Sequence, residues 1–547
     1  MKKIFTYLFI SFCTINISLA QVTQEWLQIF NGPLSSDNAF LVTDSAGNIY
    51  ISCSKINPGT QTDYCIIKYS PSGIQQWVTY YNSPADSADK VTAMAIDKSG
   101  NIYVTGSSIG IGTMEDFCTI KYNSSGIQQW VQRFNGPGNN SDWPTDVKID
   151  KKGNIYVAGD SYSLASGRGF YTIKYNTSGV QQWAQPYDII GNEWSTALAI
   201  DTAGNVFICG SCGFNNNYYD YCTVKYNSSG VFQWARIYDS SWENTYAIGV
   251  DFNSNVYVTG GSLGQIGFDY CTIKYDKSGV QQWVKLYKDP ANMSDIASTM
   301  IVDTLGNAYV SGNNVSIQGE RGYATVKYNT SGVQQWVAVY NAPTFYGSGK
   351  PLASSMDKLG NIYLTGLLSS TNTINDFCTV KFNSSGILQW AQIYNGDSTS
   401  VDVATSMAID KTGNVYVTGT SHLYNNYNRK LVTIKYSQFV GANPISSNIP
   451  DRFELSQNYP NPFNPSTKIK FEIPETPLSP PFGKGGIVSL KIFDILGREV
   501  AILINDKLTP GTHEVDWNAG DFASGVYFYS LISDGVVIDT KKLVLLK

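Results

Sequence analysis

The feature that most constrains this chain is a repeat. A turn of the form Asp-x-x-Gly-Asn, with Ser254 in place of Gly in one copy, followed by an alternating apolar run, recurs eight times, as in Asp97 to Gly106 and Asp410 to Gly419. The turn asparagines Asn48, Asn101, Asn154, Asn205, Asn255, Asn307, Asn361 and Asn414 set a mean period of about 52 residues. A Lys-Tyr fragment recurs at Lys68, Lys121, Lys174, Lys225, Lys274, Lys327 and Lys435, with Lys381-Phe382 as its variant. A Gln-Trp fragment recurs at Trp77, Trp130, Trp183, Trp234, Trp283, Trp336 and Trp390. Period-two patterning rich in β-branched and aromatic residues predicts half-buried antiparallel strands, not helices. Each period holds four, which in the second unit are Val91–Asp97, Asn101–Ser107, Asp116–Tyr122 and Ile127–Phe134. Gly in Asn-Ser-Ser-Gly and Asp-Lys-Ser-Gly supplies the positive φ that the hairpins need.

Four-stranded units at this period point to a β-propeller. The ends set the blade count. The last Lys-Tyr strand, Thr433 to Tyr436, has no Trp strand after it, and Glu25-Trp26 has no Lys-Tyr strand before it. The segment Gln24–Phe30 is therefore expected beside Leu431–Tyr436, completing the eighth blade and removing the exposed sheet edges. The repeats resemble the bacterial β-propeller repeat of consensus Asp-aromatic-x-x-x-Lys-Tyr…Gly…Trp…Asp-x-x-Gly-Asn-x-Tyr-Val-Thr-Gly, which implies fold and says little of function.

Lys2 and Lys3, the apolar run Ile4 to Ile17 and Ser18-Leu19-Ala20 have the order of a secretory signal peptide, cleaved near Ala20. No apolar run reaches the length of a membrane span. Residues 21–438 are then the propeller, 439–452 a linker, and 453–547 a small C-terminal β-sandwich built from about seven short strands. The fold class is all-β.

That last region resembles the C-terminal sorting domain of the type IX secretion system. The resemblance rests on Asn458-Tyr459-Pro460-Asn461-Pro462-Phe463-Asn464-Pro465, on Gly497-Arg498 after Leu490-Lys491-Ile492-Phe493, on Gly525 and Tyr527, and on the lysine-rich tail ending at Lys547. The Pro/Gly-rich insert Glu475–Gly486 departs from the pattern. The resemblance implies that the type IX machinery handles residues 453–547, and that the protein is released or attached at the outer-membrane surface.

Composition narrows the chemistry. The net charge of −5 argues against nucleic acid as a partner, because no basic footprint is present. Only two histidines, His422 and His513, are present, neither near an acid or nucleophile at telling spacing. No cofactor or metal is expected. The Asp of each Asp-x-x-Gly-Asn reads as a turn residue rather than a calcium ligand, since each loop offers too few oxygens. Cys209-Gly-Ser-Cys212 lacks the second pair of a zinc site.

Cys65, Cys118, Cys222, Cys271 and Cys378 share one repeat register and read as buried thiols. Cys53 with Cys65, or Cys222 with Cys209 or Cys212, are alternatives as cross-strand bridges. The register lysine reads as solvent-facing, and the register tryptophan as core or inter-blade packing.

The aromatics left over are Trp143, Trp194 and Trp242, in the loops that enter consecutive repeats, with Tyr162, Phe214, Tyr218, Tyr219, Tyr424 and Tyr427 after the Val-Thr-Gly strands. Interleaved with Asn, they form an expected platform for a sugar ring or a protein loop, or else caps over their own blades. The expected function is non-enzymatic binding or adhesion by a monomer. The alternative is a polysaccharide-acting hydrolase or lyase with carboxylates converging from different blades.

Overall fold

The computed structural model describes residues 22–546 except 164–166, 189–190, 214–218, 241, 290–293, 316–319, 342–348, 370–373, 397–399, 424–425, 439–442, 447–448, 475–487, 507, 509, 520–521 and 534. The expected signal peptide, 1–20, lies outside the described residues. The chain divides into two compact units, Gln24–Ser437 and a second that contains Gln438–Lys547. Among the described residues there are strands, turns and bends and no helix.

The first repeat comprises β1 (Val22–Thr43), β2 (Ile49–Asn57), β3 (Gln61–Tyr69) and β4 (Gln75–Tyr81). The second comprises β5 (Asp89–Ile96), β6 (Ile102–Ile109), β7 (Glu115–Tyr122) and β8 (Gln128–Phe134), paired antiparallel in that order. The turns are set by side chains. In the first, Asp44 Oδ1 accepts from the amides of Ala46 and Asn48, and Oδ2 accepts from Asn48 Nδ2 and Tyr50 OH. The same arrangement recurs at Asp97 and Asp410, which accounts for the Asp, the Asn and the Tyr of the motif.

β1 is longer than its counterparts and serves two repeats. Its later part pairs with β2 from Leu34 to Thr43, and it also neighbours Asn426–Gln438 in a seven-stranded sheet. Further contacts bring the last repeat against the first. Ala39 N donates to Thr405 Oγ1 at 3.3 Å, and Leu41 N to Ser406 Oγ at 3.0 Å.

Sequence alternation underestimates burial here. The second and third strands of each repeat are buried on both faces, as in Ile49, Tyr50 and Ile51, because every sheet packs between two neighbours. One core cluster joins Tyr50, Tyr64 and Ile66 of the first repeat to Val91, Ile102, Val104 and Ile120 of the second. The next joins Tyr103 and Phe117 to Val147, Ile155 and Val157.

The register lysine is not solvent-facing. Lys68 Nζ and Trp77 Nε1 both donate to Ser124 O in the next repeat, at 3.1 and 3.3 Å. Lys121 and Trp130 do the same to Thr177 O, and Lys274 and Trp283 to Thr330 O. Each ammonium also lies over the turn tyrosine, as Lys68 does 5.0 Å from the Tyr50 ring.

In the second unit, the order Asn443–Ser446, Gly511–Asn518, Ser466–Ile473, Glu454–Leu455 forms one sheet. Glu499–Asp506, Val488–Phe493, Gly525–Ser533 and Val536–Leu545 form the other. Both sheets contribute to one core with Phe463, Phe471, Trp517 and Tyr529. Part of the segment 439–452, read as a linker, is paired. Asn443–Ser446 is a strand, since its backbone pairs with Thr512–Glu514.

Candidate ligand-binding face

Four of the loops that lead into repeats are pinned by a buried acid. Ser83 N donates to Asp89 Oδ2, Gly136 N to Asp142 Oδ2, Asp289 N to Asp295 Oδ2 and Gly396 N to Asp402 Oδ2, each across six residues. These acids are fully buried. Burial pushes Asp89 and Asp142 up to about 6. Burial and the neighbouring Asp289 push Asp295 up to about 7. Glu193 and Glu243 occupy the same register, so this position was legible as a repeated acid, although the sequence reading passed over it.

Strand alternation turns the next residue away from the acid. Trp143 follows Asp142 and Trp194 follows Glu193, so both rings come out half-buried at the loop end of their strands. The structure brings them together through Arg168, a residue the sequence reading did not single out. Its guanidinium carbon is 4.4 Å from the Trp143 ring centroid and 5.7 Å from that of Trp194. Trp194 meets Tyr219 edge-on at 4.8 Å.

Arg168 is held in turn by Asp160, through Nη2 at 2.6 Å and Nε at 3.1 Å to Oδ2. The other Asp160 oxygen accepts from Ser195 N at 2.6 Å. Burial pushes Asp160 up to about 6, against the pull of Arg168. A short parallel bridge, Gly167 with Gly191 and Arg168 with Asn192, fuses the third and fourth repeats into one eight-stranded sheet beneath this cluster.

The other predicted aromatics fall elsewhere. Trp242 is 38% exposed and meets Phe268 edge-on at 6.1 Å. Tyr162 is half-buried on the strand that pairs with Arg168. Phe214, Tyr218, Tyr424 and the Tyr427 side chain lie outside the described residues. Among the described residues, the structure groups Trp143, Arg168, Trp194 and Tyr219 in one stack, and Trp242 meets Phe268.

The remaining chemistry is structural in setting. His422 is buried with Nδ1 3.9 Å from Asp37 Oδ1, and burial lowers its pKa. His513 is buried and stacks on Phe471 at 5.5 Å. Among the described residues, no three His, Cys, Asp or Glu side chains are arranged to hold a metal ion. Among the described residues, no helix is long and apolar enough to cross a membrane.

Within the second unit, the sorting-motif residues divide by burial. Asn458 is buried, its amide donating to Pro460 O and Thr467 Oγ1, and its backbone N–H to Tyr529 OH. Asn461 exchanges hydrogen bonds with the last strand through Lys542 O and Val544 N. Phe463 packs on Trp517 at 5.5 Å, and Pro465 O accepts from Ala519 N. Gly497 turns at φ 74°, beside an Arg498–Asp494 ion pair of 2.7 Å. Gly525 pairs with Leu545, and Tyr527 OH donates to Ala523 O. Tyr459, Pro460, Pro462 and Asn464 are exposed, and Lys547 lies outside the described residues.

Comparison with known proteins matches these two parts separately. The family described as beta-propeller repeat matches residues 76–112, 129–164 and 389–428. The secretion system C-terminal sorting domain matches residues 457–546. An uncharacterized WD repeat-containing protein of Acanthamoeba polyphaga mimivirus is 25% identical over 327 residues, 51% of this chain and 23% of its own length. The chain thus spans about a quarter of that curated relative.

Among solved structures, the WD40 domain of SCAP from fission yeast aligns with a TM-score of 0.43 at 8% identity, covering 76% of this chain and 98% of that one. A polysaccharide lyase aligns with a TM-score of 0.40 at 10% identity, covering 76% and 99%. At these scores neither bears on activity. The chain carries beta-propeller repeats over those three stretches. It also carries a type IX secretion sorting domain, which implies that the secretion machinery handles it and exports it to the cell surface or beyond.

Proposed function

We propose that this protein is an exported binding module, an eight-bladed β-propeller closed by β1 and followed by a β-sandwich sorting domain. A signal peptide ending near Ala20 starts its export. Its ligand, a glycan or a protein loop, meets the face that carries Trp143, Arg168, Trp194 and Tyr219, and the module works as a monomer without catalysis.

The observation that carries this reading is the Trp143–Arg168–Trp194 stack. A buried Asp160 fixes the guanidinium between the two rings, so a rigid aromatic and cationic surface is presented without the entropy cost of ordering it on contact. The reading of an enzyme is less well supported, because four of the acids with raised pKa, Asp89, Asp142, Asp160 and Asp295, are at most 1% exposed. A screen of the secreted full-length chain against glycan and extracellular-protein arrays tests this. Hits should be lost in the Trp143→Ala/Trp194→Ala variant and kept in Trp242→Ala. Binding that survives the double change overturns the assignment.

A further inference from the structure

Seven repeats place glycine at one position of the second strand, Gly106, Gly159, Gly210, Gly260, Gly312, Gly366 and Gly419. The first repeat places Cys53 there. The glycines are required by crowding, because a Cβ at Gly106 would stand 2.0 Å from Lys90 O, and one at Gly419 1.9 Å from Val403 O. Those carbonyls belong to a bulge in the first strand, which shifts register between Val91 and Ala93 and between Ala404 and Ser406. In β1 the irregularity comes earlier, between Leu34 and Ala39, and Ala39 pairs directly with Cys53. The space that the bulge fills elsewhere is left for a side chain.

The residue directly across β3 from Cys53 is Cys65, which stands in the register of the recurrent cysteines. Directly opposed residues of an antiparallel pair have Cα atoms about 4.5–5.5 Å apart, within the range a disulfide spans. Both thiols are fully buried in one core cluster. Contact with the Cys53 thiol, then burial, raises the Cys65 pKa. Cys222 pairs with Gly210 and Cys212 with Asp220, so those two are diagonal neighbours rather than directly opposed, although their thiols are also in contact. The structure holds all eight described cysteines as thiols.

We infer that Cys53 and Cys65 are joined by a disulfide in the exported protein, locking β2 to β3 in the repeat that also holds the closing strand. The bond forms by exchange with a disulfide-bearing oxidant of the exporting compartment. One cysteine thiolate attacks the oxidant's disulfide, and the second displaces the mixed disulfide. Two electrons pass to the oxidant, which leaves as a dithiol carrying the two protons. Since neither sulfur is reachable in the folded unit, the exchange precedes completion of folding.

The test uses the secreted full-length chain, denatured in iodoacetamide without reductant and digested for mass spectrometry. Cys53 and Cys65 are expected to carry no label and to be recovered as one linked peptide pair, while Cys118, Cys271 and Cys378 are labelled. After reductant, both should take label. A Cys53→Ala variant should fold, label fully at Cys65 and lose the fall in melting temperature that reductant causes in the parent. Label on Cys53 and Cys65 equal to that on Cys118 before reduction overturns the inference.

Discussion

Trp26 and Lys435, from the two ends of the repeat region, donate to the same carbonyl, Pro71 O, at 3.0 and 3.3 Å. This is the bond pair that Trp77 and Lys68 make to Ser124 O inside the chain. Lys435 also forms an ion pair with Glu25 at 2.5 Å. The N-terminal strand therefore takes the place of an outer strand that the last repeat lacks. Trp26→Ala removes the hydrogen bond and the packing on Gly73, and is expected to cost about 2–4 kcal/mol. The measurement is the denaturant midpoint, and Trp26→Phe should recover part of the loss.

Acidification is expected to stabilise the protein at first. Asp89 and Asp142 sit at about 6 and Asp295 at about 7, above the ordinary 3.8. A folded pKa above the unfolded value gives stability that is complete below the unfolded pKa and lost as pH rises through the folded one. The melting temperature should therefore rise from pH 8 to pH 5. Below that range the trend reverses, since Asp44, Asp150 and Asp410 are held below 3.8 by turn hydrogen bonds that outweigh burial. Asp295→Asn should raise the melting temperature at pH 8 and flatten the profile between pH 5 and 8.

Arg168→Gln leaves the Asp160 carboxylate, 1% exposed, without its cation. A loss of about 3 kcal/mol is expected, because a buried charge is left unpaired. Adding Asp160→Asn should return most of it. A double-mutant cycle read by thermal unfolding checks this, and a coupling under about 1 kcal/mol would contradict it.

Gly126 and Gly413 separate two costs. Both have left-handed φ, 80° and 87°, which strains any side chain by about 1–2 kcal/mol. A Cβ at Gly126 would also sit 2.9 Å from the Trp77 ring, whereas one at Gly413 would meet nothing within 4 Å. Gly126→Ala should therefore lower stability clearly more than Gly413→Ala, as urea midpoints of the two variants would show.

In the sorting domain, Asn458→Ala removes a buried amide that joins Pro460, Thr467 and the following turn, at an expected cost of about 2 kcal/mol. Tyr459, 79% exposed, should be replaceable by Ala within about 0.5 kcal/mol. Export assayed in culture medium then distinguishes folding from recognition. A Tyr459→Ala chain that stays stable and is not exported marks the ring as a contact of the secretion machinery.

The repeat period, the strand class and the hairpin turns were legible in the sequence, because each depends on local rules that a 52-residue repeat states eight times. The Asp, the Gly (Ser254 in one turn) and the Asn satisfy one another within a few residues, so no distant partner is needed to place them. The sorting motif was legible for the same reason of order and spacing. The setting of Lys68 was not, since the acceptor it shares with Trp77 belongs to the next repeat and only packing brings it within reach. Trp143 and Trp194 could be picked out as surplus aromatics, but Arg168 between them could not. Its position follows from a buried aspartate and from a parallel bridge that fuses two repeats. The sequence by itself determined what each repeat is. The tertiary structure decided what lies between repeats, because those contacts join residues about a full period apart and depend on the angle at which whole sheets meet.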